Sequence, residues 1–359
     1  MKTLMKTAAT VLFALAFLTA QPVYAQNDET TLIETIAGVG NIGIQDGEEA
    51  SFNMPAGIMV LPSGEILVAD TFNNLLRQVD RYGFTSTFAG YIAEFFPMGF
   101  HRDRELNEAG LHHPTSLAMC LHRRIYFTEP GNNSIRVVIG NNVYTLVGWG
   151  EAGFADGPRG TAAFNGPTAI AFGPSGYLYV ADTLNHVVRR VSLAGYTTTI
   201  AGTPGEYGYE NGQAGATLFD SPSGIVIAPD GRIFVADTGN HVIRVIENGT
   251  VSTYAGSHVL SEDDHYAIGG FADGPGSDAL FNQPRGLAMW GDYLKVADTA
   301  NHSIRMISPE GYVTTVFGTA LTGYEPATLH FPMGIYVHEN RLYIADTGNN
   351  RILVILLQD

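Results

Sequence analysis

The sequence predicts an all-β protein, a six-bladed β-propeller of four-stranded antiparallel blades. Three observations carry this. A nonapeptide, clearest as Ala236-Asp237-Thr238-Gly239-Asn240-His241-Val242-Ile243-Arg244, recurs six times, with copies starting at Ala69, Thr128, Ala181, Ala236, Ala297 and Ala345. Each copy sits in the same succession of short apolar runs and turns. The two ends of the chain supply complementary parts of one unit. A period of roughly 50 to 60 residues marks a repeat architecture, and four short strands per repeat mark a propeller blade.

One unit runs from Pro222 to Gly256. Gly224 to Ala228 is an apolar strand suited to burial on both faces. Pro229-Asp230-Gly231 is a turn, because proline presets its first position and glycine accepts a positive φ. Arg232 to Asp237 forms a second strand, Thr238 to His241 a turn, Val242 to Ile246 a third strand and Thr250 to Ala255 a fourth. Each fourth strand ends in Thr-x-x-Gly, first at Thr35 to Gly38 and last at Thr315 to Gly318. A polar, glycine-rich linker follows and closes with an aromatic or leucine three residues before a proline, as at Phe219 and Pro222. The last repeat has three strands and then the chain stops. The missing strand is the one at residues 31–38, so blade six combines it with residues 332–357 and closes the ring without an unpaired edge.

The first residues carry Lys2 and Lys6, an apolar run from Val11 to Leu18 and small residues up to Ala25. These are the parts of a secretory signal peptide. Cleavage after Ala25 is expected, leaving residues 26–359 as a single propeller domain and placing the protein outside the cytoplasm, secreted or periplasmic. No later run is long enough to span a bilayer. Of 19 basic and 35 acidic residues, only Lys2 and Lys6 leave with the leader, which gives a net charge of −18. That charge argues against nucleic acid as a partner, since phosphate binding needs a basic footprint. Cys120 is the only cysteine, so there is no intrachain disulfide; it is expected to be a buried filler in a strand.

In the nonapeptide, Asp237 ends the second strand and Arg244 lies in the third. A hairpin brings them side by side for a charge-assisted hydrogen bond, and the turn N–H groups can also donate to the carboxylate. The same pair is expected at Asp70/Arg77, Asp182/Arg189 and Asp298/Arg305. Blade two has Glu129-Pro130 in place of Asp-Thr. Blade six has Asp346, with Leu353 at the arginine position and Arg351 nearby. One pair per blade is a signature of the fold.

On these residues the chain resembles the NHL-repeat family. The shared pattern is Ala-Asp-Thr-x-Asn-Asn/His-x-Ile/Val/Leu-Arg, joined by Gly-Ile/Leu after the proline and Thr-x-x-Gly at the blade end, from about Thr31 onward. The linkers with Gly-Phe-Ala-Asp-Gly-Pro at 153–158 and 270–275 resemble those of secreted bacterial members. The resemblance implies a six-bladed propeller that binds other molecules. Members that bind RNA use a strongly basic face, which this acidic chain does not offer. The family also resembles two kinds of propeller enzyme, the peptidyl-hydroxyglycine amidating lyase, whose histidines hold zinc at the channel, and gluconolactonase-type lactone hydrolases. The Asp-x-x-x-His elements at His186, His241 and His302 resemble those of the lyase. Against a shared metal, ligands of one zinc lie roughly 3.4 Å apart, whereas these histidines fall on turns of three consecutive blades. Asn74, Asn133 and Asn350 hold the position elsewhere, so packing within the turn is the other reading.

The longest linkers are 91–113 and 257–283, which lead into blades two and five and so oppose each other across the ring. The first carries Phe95, Phe96, Phe100 and His101, the second Asp264, His265 and Tyr266. Loops on a rigid scaffold are the usual carriers of function, and these two are candidates to clamp a ligand over the channel mouth; self-packing of the aromatics is the alternative. His258 and Asp263, with Asp264 and His265, are a further candidate for a divalent cation such as Zn or Ca. No nucleophile elbow, phosphate loop or Cys-x-x-Cys pair appears. The expectation is a secreted or periplasmic module binding a protein, peptide or glycan on the loop-rich face. The alternative is a metal-dependent enzyme with its site at the channel mouth.

Overall fold

The computed structural model describes residues 33–92, 99–261, 266–319 and 328–357. They form six small antiparallel sheets. Blade one is Pro55–Val60, Ile66–Asp70, Leu75–Val79 and Thr85–Ala89. Blade four is Pro222–Ile227, Ile233–Asp237, Val242–Glu247 and Thr250–Ala255. The first strands touch one another in the order one to six and back to one, so they form the inner ring. Apolar side chains from facing sheets fill the space between blades. Phe219 and Ile225, for example, pack with Ala181 and Val188 of the preceding blade.

Blade six is composite, as expected. Ile335–His338, Arg341–Asp346 and Arg351–Leu356 are joined by Ile33–Ala37, which pairs antiparallel with Arg351–Leu356. The seam is covered by backbone hydrogen bonding, which removes two sheet edges at once. Residues 1–32, including the expected leader, lie outside the described residues. Among the described residues no helix is long and apolar enough to cross a membrane.

Several details differ from the four-strand expectation. Three blades gain a two-residue outer strand from the linker that precedes them: Arg104–Glu105 in blade two, Gly212–Gln213 in blade four and Gly274–Pro275 in blade five. Single bridges, Gly47 to Thr85 and Gly157 to Thr197, do the same for blades one and three. The turn after Asp237 is a single 3-10 turn, Thr238–Asn240, closed by His241 in the left-handed conformation. Cys120 is buried but lies just past the strand Leu117–Met119 rather than in it.

The inner strands approach closely, and this sets the glycine after the proline. A Cβ on Gly224 would sit 1.7 Å from the Arg285 carbonyl oxygen, and one on Gly334 would sit 1.8 Å from that of Ala56. No side chain fits at that separation.

Candidate functional site

The ion pair is present in all six blades. Arg77, Arg136, Arg189, Arg244 and Arg305 are fully buried, and each donates to the blade's own Asp70, Glu129, Asp182, Asp237 or Asp298 at 2.6–3.0 Å. In blade six the nearby Arg351 donates through Nε to Asp346 at 2.7 Å. The register corrects the side-by-side picture. Arg244 stands opposite Val235, and its guanidinium reaches back to Asp237, which stands opposite Val242.

The second carboxylate oxygen is taken by the linker rather than the turn. Asp237 Oδ1 accepts the N–H of Asp220, and no turn N–H bonds to the side chain. Asn240 Nδ2 donates to Oδ2 at 2.9 Å. The other amino group of each arginine binds a linker residue, Asp46, Asp103, Asp156, Asn211 or Asp273. Four of those aspartates also accept the backbone N–H of the blade-end threonines Thr87, Thr145, Thr199 and Thr315. Aromatic rings sandwich the guanidinium, Phe154 and Phe164 around Arg189 and Phe271 and Phe281 around Arg305. The whole repeat motif is thus one network that fastens linker to blade. Burial pushes Asp70, Asp182, Asp237 and Asp298 up to about 6 even against these bonds. A buried pair of this kind fixes geometry more than it adds net stability.

The threonine and the Asn/His of the nonapeptide join neighbouring blades. Thr71, Thr183, Thr238, Thr299 and Thr347 each donate to the carbonyl of the proline that opens the next blade. The residue before that proline donates its N–H to the turn side chain of the blade before it. The acceptors are Oδ1 of Asn74, Asn133 and Asn350 and Nδ1 of His186, His241 and His302. The donors, including Met54, His113, Ser221, Gln283 and Phe331, all have positive φ. Asn Oδ1 and His Nδ1 are interchangeable here because both present an acceptor at the same reach from Cα.

This settles what the three histidines do in the fold. A ring nitrogen that accepts from a backbone N–H carries no proton, so in the neutral ring the proton is on Nε2 and neither nitrogen is open as a ligand. Desolvation holds all three below the ordinary histidine value. Among the described residues no three His, Cys, Asp or Glu side chains form a metal-holding group. The zinc arrangement implied by the lyase resemblance does not fit His186, His241 and His302. His258 stacks on Tyr209 at 4.0 Å, and the Arg244 guanidinium lies 5.0 Å from the centre of the same Tyr209 ring. Asp263, its expected companion, lies outside the described residues.

The expected clamp divides in the same way. Phe95, Phe96, Asp264 and His265 lie outside the described residues. Phe100 packs against Tyr91, with Arg102 over its ring. His101 Nε2 lies 2.6 Å from Thr145 Oγ1, joining the blade-two network that Arg136 and Asp103 also form. Both residues therefore serve the blade-two linker. Tyr266 is exposed.

The described part of the loop-rich face instead shows an apolar rim. Phe72 and Leu184, at the variable second position after the nonapeptide aspartate, are 52% and 56% exposed, and Tyr207 is 70% exposed. Phe72 lies 5.2 Å from the His113 ring, Tyr207 5.7 Å from His186 and Phe331 4.5 Å from His302. Sequence reasoning missed these residues because the repeat hides them. The signal lay in the variable positions of a motif whose fixed positions drew attention. Inside the ring, a cavity of about 370 Å³ is lined by the first strands of all six blades.

Comparison with known proteins agrees with this construction. A family model for the Teneurin NHL domain matches residues 40–247, more than half of the chain. The NHL repeat-containing protein 2 of Bos taurus is 27% identical over 348 residues, covering 91% of this chain and 42% of that protein. The chain spans less than half the length of the curated relatives it matches. Among solved structures, an auxiliary nutrient binding protein from Bacteroides thetaiotaomicron superposes with a TM-score of 0.65 at 17% identity, covering 90% of this chain and 75% of that one. A gluconolactonase from Xanthomonas campestris superposes with a TM-score of 0.59 at 13% identity, covering 91% and 89%. At such identities these structures speak to the fold alone. The chain belongs to the NHL-repeat family of six-bladed β-propellers.

Proposed function

We propose that this chain is a binding module that works outside the cytoplasm, secreted or periplasmic, and recognises a protein, peptide or glycan on its loop-rich face. The observation that carries this reading is the exposed apolar rim formed by Phe72, Leu184, Tyr207 and Phe331. Large apolar side chains gathered on one face of a soluble scaffold mark interaction surfaces. Phe72 and Leu184 stand on turns, and Phe331 at a linker end, that the inter-blade bonds hold, and Tyr207 is bridged to Phe219, so they are ordered before a ligand arrives, which lowers the cost of binding.

The test is a glycan array and a peptide library probed with the mature protein and with a Phe72→Ala/Leu184→Ala/Phe331→Ala variant. Phe72 and Leu184 are more than half exposed and Phe331 is 37% exposed, so the variant is expected to fold. Ligands that bind the parent and lose at least tenfold in affinity with the variant support the rim. Ligands bound equally by both, or none bound by either, overturn it.

A further inference from the structure

The residue after the proline stands at the loop-rich end of the central channel in every blade: Ala56, Thr115, Thr168, Ser223, Arg285 and Met333. Five are small, hydroxylic or apolar. Among the described residues Arg285 is the one charged side chain that lines the cavity.

Every other arginine of the repeat network has a carboxylate within 3.0 Å. Among the described residues Arg285 has none, and its side chain donates no hydrogen bond; its Nε is sealed from solvent without a partner, as are those of Arg77, Arg136, Arg189 and Arg244, but unlike theirs its amino groups are unpartnered too. Desolvation alone lowers its pKa, and no neighbouring charge offsets it. Arg285 is half-buried, its Nε sealed and its amino groups open to the channel, and a partly desolvated guanidinium gains from a counter-charge.

We propose that the central channel is a binding site for a small monocarboxylate, with Arg285 holding the carboxylate. The planar fork of a guanidinium pairs with a carboxylate through two parallel hydrogen bonds. With one cation in the lining, a monoanion is neutralised and a phosphate dianion is left with excess charge. Apolar side chains such as Met59, Met119, Ile225 and Met333 line the same cavity, so the body of the ligand is short and largely apolar. This site lies inside the ring and does not depend on the rim residues.

Isothermal titration of the full mature protein with butyrate, its neutral isostere butyramide, and inorganic phosphate tests the proposal. The parent should bind butyrate saturably, with butyramide and phosphate at least tenfold weaker. Arg285→Met places at this position the residue blade six already carries there, so the ring should close normally, and butyrate affinity should fall at least tenfold. Arg285→Lys keeps the charge without the fork and should fall between. Undetectable butyrate binding to the parent, equal binding to Arg285→Met, or a preference for phosphate or butyramide would each overturn the assignment.

Discussion

His241 Nδ1 accepts the backbone N–H of Gln283 at 2.9 Å, and 109 residues further along Asn350 Oδ1 accepts that of Met54 at the same distance, across the closure of the ring. One bond type therefore links every blade to the next, and chemistry rather than ancestry of the residue decides what can make it.

The histidine version of this bond is pH-sensitive and the asparagine version is not. His186, His241 and His302 are held below 6.5 by desolvation, although Asp220 near His186 and His241, and Asp346 near His302, oppose the shift; His258 and His330 add to it. A histidine with a lowered folded-state pKa contributes stability that is full above its unfolded value and is lost as pH falls below about 6.5. The four buried aspartates run the other way. Raised to about 6, they contribute stability below 3.8 that is lost as pH rises through 6. The difference between two proteins isolates the histidines. The triple variant His186→Asn/His241→Asn/His302→Asn should match the parent in denaturant midpoint at pH 7.5 and exceed it at pH 5. A parent that loses no more stability than the variant between those values would remove this role.

The fold was legible because its determinants recur: six copies of one pattern average out the ambiguity of any single strand. The network around Arg244 was half legible. Its tie to Asp237 follows from the hairpin, but the bonds to Asn211 and Asp220 come from a linker whose path no local pattern specifies. The candidate site was least legible. His186 and Asn133 look chemically unlike in sequence, and only the shared donor geometry shows that they do one job. Arg285 stands out only once the six post-proline residues are known to share one channel.

The inner ring should not tolerate a methyl group at Gly224. Its Cβ would meet backbone, the Arg285 carbonyl, so no side-chain rotation relieves the clash. Overpacking of this kind costs about 3 kcal/mol or more. Gly215→Ala, at a site with open space around the new Cβ, should stay within about 0.5 kcal/mol of the parent. Urea denaturation of both variants gives the comparison, and a Gly224→Ala variant as stable as Gly215→Ala would contradict the packing.

Breaking one blade's ion pair should cost more than replacing it. Arg244→Met leaves the Asp237 carboxylate buried with Asn240 and one backbone N–H as its remaining partners, and an unpaired buried charge of this kind costs about 3–5 kcal/mol. Adding Asp237→Asn removes the charge while keeping an acceptor for the Asp220 N–H, and should return at least half of the loss. Midpoints for the two single variants and the double variant form the cycle. A double variant no more stable than Arg244→Met would show that the arginine acts through its bonds to Asn211 and Glu210 instead.

Lys295 is buried in the second strand of blade five, its ammonium 2.9 Å from Met306 Sδ and 4.6 Å from the Trp290 ring, with no carboxylate partner among the described residues. Desolvation lowers its pKa from 10.5 to about 8. The unfolded chain therefore binds this proton more tightly than the folded one. Its contribution to stability is full above about 10.5 and is lost as pH falls toward 8. At pH 7 the buried charge works against folding. Lys295→Met keeps the unbranched length and removes the charge, and should stabilise the protein at pH 7 by about 1–3 kcal/mol. The gain should shrink as pH rises from 8 to 10.5, where the parent lysine is itself neutral when folded. Urea midpoints for parent and variant at pH 7 and pH 10 measure both effects, and a variant less stable than the parent at pH 7 would show that the cation–π contact with Trp290 outweighs the desolvation.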